Sequence, residues 1–229
     1  MYTLFEAHPV TVLIVVAALM ITPFHLMATF AFSKASLRVG AALAALWLAF
    51  GSVMFLVCIT ALPQKLGLVG NLIIPAAWIL PSVFLVIFRD RVLADNLSQK
   101  WLIGLQVWRL IGAVFLIEMA RGHIPGVFAY PAGIGDIAVG VLAIGVLLLY
   151  RNEETVPSAS IHAVGVLGVL DFVSAFFFGF FSSDTPLQLF SFDHPNPVSL
   201  FPTGLIPLFL VPYAIFFHTL SWLSLAKSK

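Results

Sequence analysis

Apolar residues fill this chain in runs of about twenty. The runs show no strict polar alternation, and each stops at a short cluster of charged, glycine or proline residues. A helix needs about 20 apolar residues to cross the ~30 Å hydrocarbon core of a bilayer, whereas a membrane strand shows alternation over roughly ten residues. The pattern therefore predicts seven helices, over residues 9–31, 40–62, 67–88, 101–120, 133–150, 161–182 and 203–226. The third is interrupted by Pro75 and Pro81, and the fifth is short and begins Gly133-Ile134-Gly135-Asp136. No Lys or Arg precedes the first run, and it is longer than the roughly 7–15-residue core of a signal peptide, so it reads as a retained span.

Composition agrees with that reading. The residues are 61% hydrophobic and 9% charged, against about 45–50% and about 25% in soluble domains. The expected fold class is all-α, a polytopic membrane helix bundle forming a single transmembrane domain over residues 1–229. The net charge of +1 provides no polybasic surface for a phosphate backbone, which excludes nucleic acid as a partner. The expected partners are the lipid bilayer, a small-molecule or ion substrate and, as a candidate, a second copy of the chain. Cys58 stands alone and has no intrachain disulfide partner.

The basic residues set an orientation, because short loops rich in Lys and Arg stay cytoplasmic. One set of loops and the tail carries Lys34, Arg38, Arg89, Arg91, Lys100, Arg151, Lys227 and Lys229. The other carries only Lys65 and Arg121, and Arg109 lies inside a span. This bias fits an odd number of crossings with the N-terminus outside and the C-terminus cytoplasmic. Trp101 and Trp222 are expected as interfacial anchors. Ala41, Ala45, Ala49 and Ser52 form a small-residue stripe suited to close helix packing.

Ionisable groups inside a span cost at least about 2.5–3.5 kcal/mol at a helix centre, so each needs an explanation. They are His25, Arg109, Glu118, Asp136, Asp171 and His218, with Gln106 as a neutral companion. By depth, Arg109 and Asp171 both fall near the midplane and are expected to face the interior and pair. Gln106 shares a helix face with Arg109. Glu118 lies on another face, with Arg121 its expected partner. Asp136 is expected in the first turn of the fifth helix, at the outer entrance, where the unsatisfied N–H groups favour a carboxylate. His25 and His218 are expected in a common inner layer, and both carry a preceding Phe and a Lys nine residues on. If the two imidazoles face each other they are candidate metal or haem ligands.

Residues 121–136 read Arg-Gly-His-Ile-Pro-Gly-Val-Phe-Ala-Tyr-Pro-Ala-Gly-Ile-Gly-Asp. Up to the last Gly-Asp they are expected as an apolar outer loop folded back into the mouth of the bundle. The segment, with Gln106 and Arg109 upstream and Pro212 and His218 downstream, resembles a group of uncharacterised bacterial membrane proteins that share Gly-x-x-Pro-x-x-Phe-Ala-x-Pro-Ala-Gly-x-Gly-Asp. The likeness covers the last four spans. It implies a bacterial inner-membrane protein and brings no activity with it. A retinal protein needs a Schiff-base lysine within its last helix; here Lys227 and Lys229 lie beyond the span, so retinal is not expected.

Three readings follow. The first is a small-molecule or proton-coupled transporter or channel, with Arg109, Asp171, Asp136 and Gln106 as its substrate or ion site. The second is a haem- or metal-binding redox or sensory protein using His25 and His218. The third is a non-catalytic structural or accessory subunit. No phosphate-binding Gly-rich loop, His-Glu-x-x-His or Gly-x-Ser-x-Gly elbow occurs, so nothing in the sequence supports an enzyme. The segment Asp193-His194-Pro195 reads as a solvated turn.

Overall fold

A computed structural model describes residues 7–33, 35–93 and 97–227, which leaves Lys34 and Lys229 outside the described residues. The chain is helical, with no strand among the described residues. Among the described residues, seven helices are long and apolar enough to cross a membrane: α1 (Pro9–Phe32), α2 (Leu37–Ile59), α3 (Gly67–Ile87), α4 (Gln99–Ala120), α5 (Gly126–Leu149), α6 (Ser158–Ser182) and α7 (Ile206–Lys227). They suggest a multi-pass membrane protein, because in hydrocarbon every backbone N–H and C=O needs an internal partner and a helix supplies it. Short helices Leu62–Lys65 and Arg89–Val92 fill two of the turns. One end of the bundle carries the start of α1 and residues 183–205, and is called the loop end below. Arg89, Arg91, Lys100, Arg151 and Lys227 gather at the other, the basic end.

α5 departs from expectation. It starts at Gly126, not at residue 133, and Pro131 lies inside it. Pro125 stands at the N-cap in an extended conformation, and a proline in the early helix removes one backbone hydrogen bond while the flanking apolar residues stay buried. Phe128, Ala129 and Ala132 are all buried on this added stretch. The segment expected as a folded-back loop is therefore a helix. Its apolarity was the better guide than its glycines and prolines.

Two helices are irregular where the sequence predicts simple spans. α4 tightens to a 3₁₀ helix over Leu105–Gly112, far beyond the usual three or four residues. Residues three apart are eclipsed in that geometry, so Gln106, Arg109 and Gly112 form one ridge, and all three are buried. α7 opens as a π-helix over Ile206–Leu210. Pro212 has no N–H to offer the carbonyls one turn back. The Trp78 indole of α3 donates instead to the Pro207 carbonyl at 2.7 Å, which ties α3 to the irregular end of α7.

α7 is the central helix, packed against α1, α2, α3, α4 and α6. Its aromatic face meets Trp47 of α2, which stands edge-on to Phe50, Phe209, Tyr213 and Phe216 with ring centroids 5.0–5.6 Å apart. The Tyr213 hydroxyl, buried with them, donates to the Thr22 carbonyl of α1 at 2.6 Å. The buried face of α2 is Gly40, Leu43, Ala44, Trp47 and Gly51. Ala41, Ala45, Ala49 and Ser52 are exposed instead, so the expected small-residue stripe takes no part in packing within the chain.

Truncating Trp47 to Ala removes the hub of this cluster and is expected to cost about 3–5 kcal/mol. Ala45→Leu on the exposed face should stay within about 0.5 kcal/mol of wild type. Thermal unfolding of the detergent-solubilised protein reads both, and equal midpoints for the two variants would contradict this packing.

Candidate functional site

The buried charges meet on three neighbouring helices. Arg109 lies midway along α4, Asp136 midway along α5 and Asp171 midway along α6. The Arg109 side chain is fully buried. Its Nε donates to Asp136 Oδ1 at 2.7 Å, and its Nη2 donates to Asp171 Oδ2. The guanidinium carbon sits 3.9 Å from the centre of the Phe172 ring, a distance at which the ring face attracts a cation. The expected Arg109–Asp171 pair is present. Asp136 is not at the entrance of the bundle: because α5 starts seven residues earlier than predicted, the carboxylate is carried from the first turn to mid-depth.

The Gly-x-Gly-Asp sequence explains how three helices come so close. A Cβ at Gly135 would stand 1.6 Å from Asp171 Oδ1, so only glycine lets that carboxylate reach the guanidinium. A Cβ at Gly112 would stand 2.4 Å from the Asp136 Cβ, and the absence of a side chain there lets α4 and α5 cross at the charged layer. Asp136 holds the arginine, and Gly133 and Gly135 before it and Gly112 opposite it clear the space.

Towards the basic end the same layer continues as polar atoms without protein partners. Arg109 Nη1, Gln106 Nε2 and Oε1, His218 Nε2 and the Trp222 indole N–H are buried and unpartnered among the described residues. A Cβ at Gly168 would stand 2.5 Å from His218 Nε2 and 2.7 Å from Arg109 Nη1, and one at Gly165 would stand 2.8 Å from Trp222 Nε1. Two glycines one helical turn apart on α6 thus face a line of nitrogen atoms. Trp222, expected as an interfacial anchor, turns its indole N–H into the bundle.

Towards the loop end lies a cavity of about 50 Å³. Asn71, Val198 and Ser199 line it at the loop end and Asp136 at mid-depth; between them its wall is largely aromatic. The cavity's volume exceeds the ~10–15 Å³ needed to hold a water molecule.

Of the other predicted residues, His218 adjoins this layer, whereas His25 and Glu118 do not. His25 packs against Phe217 and Trp101, with ring centroids 5.3 and 6.4 Å away, and its Nδ1 lies 3.4 Å from the Tyr213 hydroxyl. His218 faces Phe172, Trp222 and Arg109. The two imidazoles occupy different surroundings, and no cluster of three or more metal-ligating side chains occurs among the described residues. Glu118 forms a separate cluster at the loop end. It accepts from the His8 backbone N–H at 3.0 Å and the Thr11 hydroxyl and lies 2.9 Å from His123 Nδ1, while Arg121 stands 4.0 Å away. The expected Arg121 partner is the most distant of the four. Asp193 and His194 are exposed, in a turn.

A seven-helix apolar bundle with a charged layer at its centre is the class these features define. The chain belongs to the family described as Domain of unknown function (DUF8737), which matches residues 66–226. That stretch includes α3 to α7 and every residue of the charged layer. No curated protein and no solved structure matches the chain.

Removing Arg109 leaves two buried carboxylates facing each other, so Arg109→Gln is expected to cost about 3–5 kcal/mol. Asp171→Asn leaves a one-to-one pair between Arg109 and Asp136 and should cost less than half as much. Thermal unfolding in detergent decides the order, and a larger loss for Asp171→Asn would contradict the shared-arginine geometry.

Proposed function

We propose that this protein is a multi-pass carrier that moves a proton or a small molecule across a bacterial inner membrane, with Arg109, Asp136 and Asp171 as its binding site and Gln106 beside them. The observation that carries the reading is the stoichiometry of the buried layer, in which one guanidinium serves two carboxylates. With both acids ionised, one negative charge is left without a counter-charge, and isolated buried charge is too costly to persist. A proton or a cationic ligand completes the balance, and its arrival and departure are the elementary acts of transport.

Three further features support the reading. The cavity over Asp136 approaches the layer from the loop end. The unpartnered nitrogens of Arg109, His218 and Trp222 continue it towards the basic end. Irregular backbone stands beside it in both α4 and α7, and interrupted helices are the usual surroundings of transport sites within a bilayer. The excess of Lys and Arg at the basic end favours a cytoplasmic placement of that end. The cavity then faces outward and the C-terminus inward.

In proteoliposomes under an imposed pH gradient or membrane potential, wild-type protein is expected to conduct protons or exchange a labelled solute. Arg109→Ala, Asp136→Asn and Asp171→Asn should each reduce that flux to the level of empty liposomes. Wild-type flux in all three variants, for protons and for every solute tried, would sink the reading.

A further inference from the structure

We infer that the cavity over Asp136 binds a small alkylammonium ion, an identification of the ligand that rests on the carrier reading above. Two independent observations converge on it. The first is an acceptor without a donor. Asp136 is buried, yet among the described residues its carboxylate receives one hydrogen bond, from Arg109 at Oδ1. A carboxylate has about four acceptor positions. This residue lines the cavity, so its unfilled acceptor positions lie beside whatever enters. The excess negative charge of the layer makes that partner a cation.

The second observation is the wall. Trp78, Phe115, Phe128, Phe172, Phe176 and Phe180 line the space. Their rings hold one another in place: Trp78 lies 5.5 Å from Phe176 and 6.2 Å from Phe172, Phe115 meets Phe128 edge-on at 5.1 Å, and Phe176 lies 5.7 Å from Phe180. Trp78 is fixed further by its bond to the Pro207 carbonyl. Hard metal cations need shells of six or more oxygen atoms, and beside Asp136 this wall offers aromatic carbon instead. Aromatic faces attract organic ammonium groups, whose charge is spread over N–H and C–H hydrogens. Phe172 already receives the Arg109 guanidinium in this manner. A cavity of about 50 Å³ calls for a compact ligand, and methylammonium to trimethylammonium are among the smallest of this class. An N–H group would donate to Asp136 while the methyl groups rest on the rings.

Isothermal titration of the protein in nanodiscs with methylammonium and trimethylammonium chloride tests this, with sodium chloride at equal ionic strength as the comparison. Wild type should give saturable binding of an alkylammonium and none of sodium. Asp136→Asn should weaken it at least about tenfold, the loss of ~1.4 kcal/mol. Phe176→Leu, which keeps an apolar wall and removes one ring, should weaken it several-fold, and it decides the matter alone if Asp136→Asn does not fold. No saturable alkylammonium binding by wild type, binding of sodium in its place, or wild-type affinity in both variants would overturn the inference. Proton flux measured on the same preparations separates the two proposals. Flux that depends on Asp136 without alkylammonium binding removes the ligand and keeps the carrier, whereas flux indifferent to Asp136, Asp171 and Arg109 removes both.

Discussion

One guanidinium held between two carboxylates organises the centre of this protein. Arg109 brings α4, Asp136 brings α5 and Asp171 brings α6 to a common point, and the Phe172 ring covers the arginine. In water such a trio would contribute little, since exposed ion pairs are worth about 0–1 kcal/mol. In an apolar bundle the groups have no solvent to retreat to, and each fixes the position of the other two. The glycines at 112, 135 and 168 follow from that demand. They stand where the charged groups come nearest to a neighbouring backbone.

The irregular backbone of α4 serves the same layer. A regular α-helix offsets side chains three apart by about 60°, so Gln106, Arg109 and Gly112 would fan across about 120° of one side. The 3₁₀ segment of α4 stacks them in line. One ridge then carries an amide, a guanidinium and a gap in register with α5 and α6. In α7 the departure is of the opposite sense, a widened turn ahead of Pro212, and the Trp78 side chain takes up a carbonyl that the proline leaves without a donor.

Much of the fold was legible in the sequence, because twenty-residue apolar runs have few physical alternatives. Six of the seven spans lie close to their predicted positions. The pairing of Arg109 with Asp171 was legible as well, since two opposite charges at one depth in hydrocarbon have strong reason to meet. The position of Asp136 was not. Reading Pro125, Pro131 and four glycines as breakers gave the local propensity of water-soluble chains more weight than the bilayer allows, and it moved the start of α5 by two turns. A helix begun at Gly126 would have placed Asp136 level with Arg109 from sequence alone. The separation of His25 from His218 could not be read, because depth fixes a layer and leaves rotation about the helix axis free. Adjacent residues of a helix point about 100° apart, so Phe217 meets His25 while His218 meets Phe172 and Trp222.

The bond between the Trp78 indole and the Pro207 carbonyl has a mechanical meaning. It fastens the middle of α3 to the irregular opening of α7 on one side of the aromatic cavity, while α4, α5 and α6 are cross-linked by the arginine on the other. The cavity is the seam between them, lined by Ile74 and Pro207 on one side and by Phe115, Phe128 and Phe176 on the other. Any displacement of α3 and α7 against the other three helices would therefore alter the width of that seam.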